Sequence, residues 1–263
     1  MSVAAQPAFC LPKGELRAEP TGRGLVDAGV LSVTCAYNEA GKLSRVLQRL
    51  ACVEGIDALI VDDASTDSTP DLIREHQVAT VRHERRRGVG AAIRTAIGYF
   101  LERDYQIMVL VAGNDKDRPD EIARIVAPIL AGESDLVQGS RHLPGGCAGN
   151  TPLYRRVATR YVHPLLFSLV SGQRMTDTTN GFRAIHRRVF EALWSDLQQS
   201  WLDAYELEVY LLYRAIRSGF RVTEVPVSKI YPPRSLGYTK MKPISGWWSI
   251  LRPMLLLGLG IRR

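Results

Sequence analysis

Cysteine is scarce in this chain: there are four in 263 residues, at positions 10, 35, 52 and 147, and no two form a C-x-x-C pair. That spacing excludes a disulfide scaffold and a thiolate metal site. Cys35 and Cys52 sit among apolar neighbours and read as buried thiols in a reducing compartment. No stretch reaches the ~18 uncharged apolar residues that a membrane span needs. The nearest, residues 243–261, is interrupted by Arg252 and Pro253. A basic start followed by an apolar run is also missing, so no secretory signal is expected. The expected location is cytoplasmic, extending to the inner face of the membrane. There is no internal repeat and no dinucleotide fingerprint. The third glycine of a G-x-G-x-x-G beginning at Gly88 would fall on Ile93, and the stretch follows the third expected strand, not the first.

The chain carries 34 Lys and Arg against 27 Asp and Glu, a formal +7, with 46% hydrophobic and 23% charged residues. This is the profile of a folded globular protein and excludes extended disorder. The length accommodates one large domain or two small ones. Positive charge gathers at the end. Residues 227–263 hold Lys229, Arg234, Lys240, Lys242, Arg252, Arg262 and Arg263, no acid, and Trp247, Trp248 and the run Met254-Leu255-Leu256-Leu257. Basic residues interleaved with tryptophan and leucine suit a lipid headgroup surface. A helix docked on the body with its basic residues in water is the plain alternative. The excess charge is modest and comes with no binding motif, so nucleic acid is not an expected partner.

Hydrophobic periodicity predicts strands over 31–36, 58–61, 78–82, 106–111 and 135–138, separated by helices over 40–50, from 68 onward, over 88–101 and over 119–130. Asn38 is expected to cap the first of these helices, and Pro70 suits the first turn of the second. Such alternation builds a mostly parallel sheet covered on both faces. Beyond it come a helix over 153–170, a polar loop over 177–183, helices over 187–193 and 205–218, and a late strand over 221–227. The expected organisation is a loose arm (1–28), then one domain (29–227) with a nucleotide half (29–140) and an acceptor half (141–227). A basic loop and amphipathic helix (228–263) follow.

Ligands of such sheets bind at the carboxyl ends of the strands. The polar clusters fall there: Tyr37-Asn38-Glu39, Asp62-Asp63, residues 113–117 and Gly139-Ser140-Arg141 each follow a different expected strand. An acidic pair at a strand end accepts hydrogen bonds from a base N–H or a ribose hydroxyl, although turn and cap chemistry accounts for the same residues. Asp115 and Asp117, two residues apart, have the oxygen chemistry to hold one Mg²⁺ or Mn²⁺. Arg85, Arg86 and Arg87 precede a glycine turn at a helix start, a place that favours phosphate.

In order and spacing these stretches resemble the family-2 inverting glycosyltransferases of GT-A fold, in layout the polyprenyl-phosphate mannose or glucose synthases. The matching stretches are Ala-Tyr-Asn-Glu at 36–39, Val-Asp-Asp-Ala-Ser-Thr-Asp-Ser-Thr at 61–69, the helix start at 88–92, and residues 113–119 and 139–141. Asp-Thr-Thr-Asn-Gly-Phe-Arg at 177–183 and Glu-Val-Pro-Val at 224–227 complete the set. The resemblance implies a GT-A, Rossmann-like, mostly parallel sheet flanked by helices, with C-terminal acceptor-side helices. It also implies transfer of a sugar from a nucleotide-sugar donor to a polyprenyl-phosphate or saccharide acceptor, assisted by Mg²⁺ or Mn²⁺. By position, it implies that Ala36, Tyr37, Glu39, Asp63, Arg87 and Asn114 line the nucleotide, with Asp62 structural. Asp115 and Asp117 would hold the metal, and Arg141, Arg155, Arg234 and Lys240 would meet the acceptor phosphate or the diphosphate. Asp115, Arg141 and Asp177 are the catalytic candidates. The family's usual D-x-D begins one residue pair earlier, and its first Asp falls on Gly113 here.

A lipid phosphate is already anionic and needs no general base, whereas a hydroxyl acceptor requires a carboxylate from among Asp177, Asp203 and Glu206. The loop over 229–242, with Pro232-Pro233 and Gly237 as breakers, is expected to close over the donor. Two alternatives accompany the transferase. A sugar nucleotidyltransferase would place a glycine-rich loop where Tyr37-Asn38-Glu39 stands, and a non-catalytic nucleotide-sugar-binding relative is what Gly113 suggests.

Overall fold

The computed structural model describes residues 22–151, 153–232 and 245–261. Of the expected loose arm, Gly22–Asp27 instead forms a short helix, α1, anchored by the buried Leu25. Residues 1–21 lie outside the described residues. Then β1 (Val30–Ala36), β2 (Ile56–Asp62), β3 (Ala79–Arg82) and β4 (Ile107–Ala112) alternate with α2 (Ala40–Leu50), α3 (Thr69–Glu75) and α4 (Val89–Leu101). These four strands are mutually parallel, β1 lying between β2 and β4. Pro119–Glu121 makes one tight turn before α5 (Ile122–Leu130), which leads to β5 (Leu136–Ser140).

The second half departs from simple alternation. Strand β6 (Cys147–Gly149) is followed by α6 (Leu153–Val157), a π-helical turn over Ala158–Val162, and α7 (His163–Ser171), which run on without a gap over the stretch expected as one helix. Strand β7 (Arg183–His186) inserts antiparallel between β4 and β5. Only four residues long, it is too short for periodicity to reveal. Then come α8 (Arg187–Leu193), α9 (Glu206–Arg217), β8 (Val222–Pro226), β9 (Ser228–Ile230) and α10 (Ser245–Gly258). The main sheet runs β3-β2-β1-β4-β7-β5-β8, and β6 pairs with β9 in a separate two-stranded ribbon.

Each face of the sheet buries its own apolar layer. One packs Leu31, Val33, Leu59 and Met108 against α4, α8 and α9 and reaches α7 and α10 through Phe167, Met254 and Leu257. The other packs Val30, Ile60 and Val109 against α2 and α5 through Leu43, Val46, Leu47, Ile125 and Ile129. The helical spacing in α2 puts those residues on one buried stripe. Its start is not capped by Asn38, whose side chain instead accepts from the Thr66 amide at 2.8 Å. The cap comes from the segment after β2: Glu39 N–H donates to Thr69 Oγ1 at 2.9 Å and Ala40 N–H to Asp67 Oδ2 at 3.2 Å. The run over 61–69 thus locks the end of β1 to the end of β2, and Asp62 serves it by accepting from the Ser65 amide at 2.9 Å. Cys52, expected buried, is exposed.

Candidate active site

A cavity of about 350 Å³ opens where β1, β2, β4 and β5 end. Its wall carries seven Lys or Arg side chains against three carboxylates, Glu39, Asp63 and Glu208. That excess of cations suits a ligand with several phosphate charges.

On the nucleotide side, Ala36, Tyr37, Glu39, Asp63 and Asn114 all line the cavity. Arg87 does not. It is exposed, and only its backbone amide reaches in, donating to Asp63 Oδ1 at 2.7 Å. The neighbour Arg86 takes the place expected for it, its guanidinium 4.2 Å over the Tyr37 ring. Asp63 is held by three donors: the Arg87 amide, the Gly88 amide at 2.8 Å and His83 Nδ1 at 2.8 Å. The start of α4 is not open to phosphate. Asp203 carbonyl accepts from the amides of Gly90 and Ala91, and a Cβ on Gly90 would stand 1.9 Å from Leu202 carbonyl oxygen. Gly90 is therefore required for close helix-to-loop packing.

The segment after β4 differs most from expectation. Asn114 and Lys116 line the cavity; Asp115 and Asp117 do not. Asp115 sits at φ +58° and its carboxylate faces α2, accepting from Arg45 Nε and Arg49 Nη1, each at 2.6 Å. Asp117 is buried, accepts from the Ala112 amide at 2.8 Å, and pairs with Lys229 Nζ. Both carboxylates are thus engaged by cations and turned away from the cavity. Lys116 Nζ lies 4.2 Å from the Tyr231 ring centroid. Burial lowers its pKa to about 7, the charges of Lys229, Arg155 and Lys42 adding to the effect and Asp117 opposing it. An anion arriving in the cavity reverses that shift.

On the acceptor side, Arg141 and Arg155 line the cavity as expected. Arg155 Nη1 donates to the Tyr231 hydroxyl at 3.2 Å. Asp177 is fully buried and outside the cavity wall, bound to Arg141 by a bidentate pair at 2.6 and 2.7 Å. Burial pushes its pKa up, but the Arg141 charge and hydrogen bonds outweigh this and hold it below the ordinary value. It orients Arg141 and is not placed to take a proton from substrate. Asp203 pairs with Arg94 and Glu206 lies 4.0 Å from Arg252, and neither lines the cavity. Arg234 and Lys240 lie outside the described residues.

Sequence reasoning missed Lys42, Lys116, Arg183, Glu208, Lys229 and Tyr231, all in the cavity wall. Lys116 had a readable signal, standing between two acids whose side chains turn elsewhere. Lys229 had none, because β9 is carried to the site by its ribbon with β6 and by a bridge between Asp117 and Lys229.

The expected Mg²⁺ or Mn²⁺ does not fit these residues. Positions 113, 115 and 117 offer no carboxylate to the cavity, and a Cβ on Gly113 would meet Cys35 carbonyl oxygen and Thr34 Cγ2 at 3.1 Å. Asn114 Oδ1 is buried without a hydrogen-bond partner, a single neutral oxygen beside an ammonium group. A hard dication takes several oxygens, carboxylates foremost. Among the described residues, no three His, Cys, Asp or Glu side chains gather as a metal-binding group.

Comparison with known proteins places this arrangement. The sequence profile described as Glycosyl transferase family 2 matches residues 32–194. Polyprenol monophosphomannose synthase of Mycolicibacterium smegmatis is 33% identical over 230 residues, covering 84% of this chain and 82% of that one. Undecaprenyl-phosphate mannosyltransferase of Micrococcus luteus is 31% identical over 218 residues, covering 81% and 87%. Among solved structures, glucosyl-3-phosphoglycerate synthase from Mycobacterium tuberculosis, in complex with Mn²⁺, UDP and glucosyl-3-phosphoglycerate, superposes with a TM-score of 0.66. It is 17% identical, and the match covers 96% of this chain and 89% of that one. The likeness establishes the GT-A fold.

Proposed function

The chain belongs to glycosyl transferase family 2 and is an enzyme that transfers sugars, and from that premise we propose that it moves a sugar, with inversion, from a nucleotide-sugar donor to a polyprenyl phosphate at a membrane surface. The observation that carries the acceptor class is an apolar face beside the basic cavity. Helices α6 and α7 and the π-helical turn between them expose Tyr154, Tyr161, Leu165 and Leu169, the last two 61% and 73% accessible, and α10 exposes Trp248 and Leu255. The same elements reach the cavity through Arg155, Thr159 and Ile250. Exposed Arg156 and Arg160 belong to the same helical segment, and such arginines favour anionic headgroups. No helix among the described residues is long and apolar enough to cross a membrane, so contact of this kind is with the surface. The sequence offered only the basic, Trp- and Leu-bearing chain end for such contact, and the exposed apolar side chains of α6 and α7 support adding that side to the face.

The chemistry agrees. Tyr37, Arg86 and Asp63 frame one end of the cavity for the nucleoside, and the basic wall receives the two leaving phosphates, where charge builds as the anomeric bond breaks. Arg141, steadied by Asp177, and Arg155 lie on the acceptor side to position a phosphate for in-line attack. A phosphate nucleophile needs no base, in keeping with Asp177, Asp203 and Glu206 all standing outside the cavity wall. The Mn²⁺ bound with UDP in glucosyl-3-phosphoglycerate synthase is a property of that protein.

The test is product formation from a panel of radiolabelled nucleotide sugars with polyprenyl phosphate in vesicles. The expected result is label extracted into organic solvent with release of a nucleoside diphosphate. Label transferred only to soluble saccharides, or release of pyrophosphate, overturns the assignment.

A further inference from the structure

Buried charge needs a partner, and the acids in and just behind the cavity wall are largely spoken for. Glu39 holds Lys42 at 2.8 Å, Asp117 holds Lys229, and Asp177 holds Arg141. Lys116 is different. It is buried, lines the cavity, lies over the Tyr231 ring, and forms no ion pair among the described residues. It projects from the segment in which a Cβ at Gly113 would crowd Cys35 carbonyl oxygen and Thr34 Cγ2 at 3.1 Å, Asp115 is turned onto Arg45 and Arg49, and Asp117 is neutralised by Lys229. The place where three acids would gather around a dication presents instead one ammonium group and the unpartnered Asn114 Oδ1.

We propose that Lys116 supplies the positive charge that neutralises the donor's diphosphate, so that this chain binds a nucleoside diphosphate without a divalent cation. The inference rests on the transferase reading and specifies its donor site. Lys116 Nζ, with three donors, meets the phosphate oxygens, and Asn114 Oδ1 accepts from a hydroxyl of the bound sugar nucleotide. Lys42 and Lys229 back the site as cations already balanced by acids, so the net charge available to the ligand comes chiefly from Lys116 and the arginines. The ion pairs at Asp115 and Asp117 have a defined purpose on this account. They keep both carboxylates from competing with the diphosphate for Lys116.

The experiment is calorimetric titration of the full chain with UDP and with GDP, in EDTA and in Mn²⁺, for the wild type, Lys116→Met and Lys116→Arg. Wild-type affinity is expected to change less than about twofold between EDTA and Mn²⁺, and Lys116→Met to weaken it about tenfold or more, as loss of a hydrogen bond to a charged group does. Lys116→Arg is expected to recover part of the loss. Thermal unfolding without nucleotide shows whether each variant is folded, and the wild-type comparison stands even if neither is. Affinity that disappears in EDTA and returns with Mn²⁺ overturns the proposal, and so does a folded Lys116→Met that binds like the wild type. Sugar transfer that stops in EDTA and resumes with Mn²⁺ overturns it too, while leaving the transferase reading intact. Metal-independent binding with no transfer from any donor sinks the transferase reading alone.

Discussion

The Asp177 carboxylate receives three hydrogen bonds from one residue: from Arg141 Nε at 2.6 Å, Arg141 Nη2 at 2.7 Å and the Arg141 backbone amide at 3.0 Å. Both side chains are buried. Asp177→Ala leaves a buried guanidinium unpaired, which costs on the order of 3–5 kcal/mol. Chemical denaturation is expected to show that loss. A general base would behave differently: its removal would flatten the acid limb of the pH–rate profile and leave stability nearly unchanged.

Asp115 is predicted to matter little to nucleotide binding. Its arginine partners are 40% and 34% exposed, so solvent screens the pairs in part, and Asp115 stands outside the cavity wall. Asn tolerates the positive φ of this position. Asp115→Asn should therefore keep UDP and GDP affinity within about twofold by titration, since the two ion pairs it weakens lie outside the cavity wall. A large loss would return Asp115 to the binding site.

His163 gives the protein an acid sensitivity. It is fully buried, its Nδ1 is 2.6 Å from Thr178 Oγ1, and burial lowers its pKa to about 4 from 6.5, with Asp177 opposing and Arg141 adding to the effect. The folded state thus holds the proton more weakly than the unfolded chain. Its contribution is fully present above pH 6.5 and is lost as pH falls toward 4. The whole loss is on the order of 3 kcal/mol. Denaturation midpoints at several pH values in this window should fall more steeply for the wild type than for His163→Asn.

The apolar face predicts its own variant. Leu165→Glu with Leu169→Glu places two acids on an exposed face, where like charge repels an anionic bilayer and two apolar contacts are lost. Co-sedimentation with anionic vesicles should drop by about tenfold or more, while UDP and GDP titrations stay as in the wild type. Unchanged sedimentation would show that another surface meets the lipid.

Much of the fold was legible because each element is local. The stripe Leu43, Val46, Leu47, Leu50 defines α2, expected over 40–50 and found as Ala40–Leu50. The short apolar runs mark β1, β2 and β4. Strand β7 escaped because Arg183–His186 has no room for a pattern, and its place between β4 and β5 depends on pairings more than 40 residues away on both sides. The cap of α2 was misassigned for a related reason: Asp67 and Thr69 reach it through the β1–β2 pairing, across 27 and 30 residues.

By itself the sequence determined the alternating architecture, the edge of the sheet where the cavity opens, and the family, since these follow from periodicity and from motifs read in order. Only the tertiary structure decided which side chain of each motif lines the cavity. In residues 113–117 the turn at Asp115, at φ +58°, and the distant partners Arg45, Arg49 and Lys229 send both acids out of the cavity and leave Lys116 in it. The direction of a side chain in an irregular segment is set by backbone torsions and by charges brought near through folding, and neither is written in the spacing of the residues.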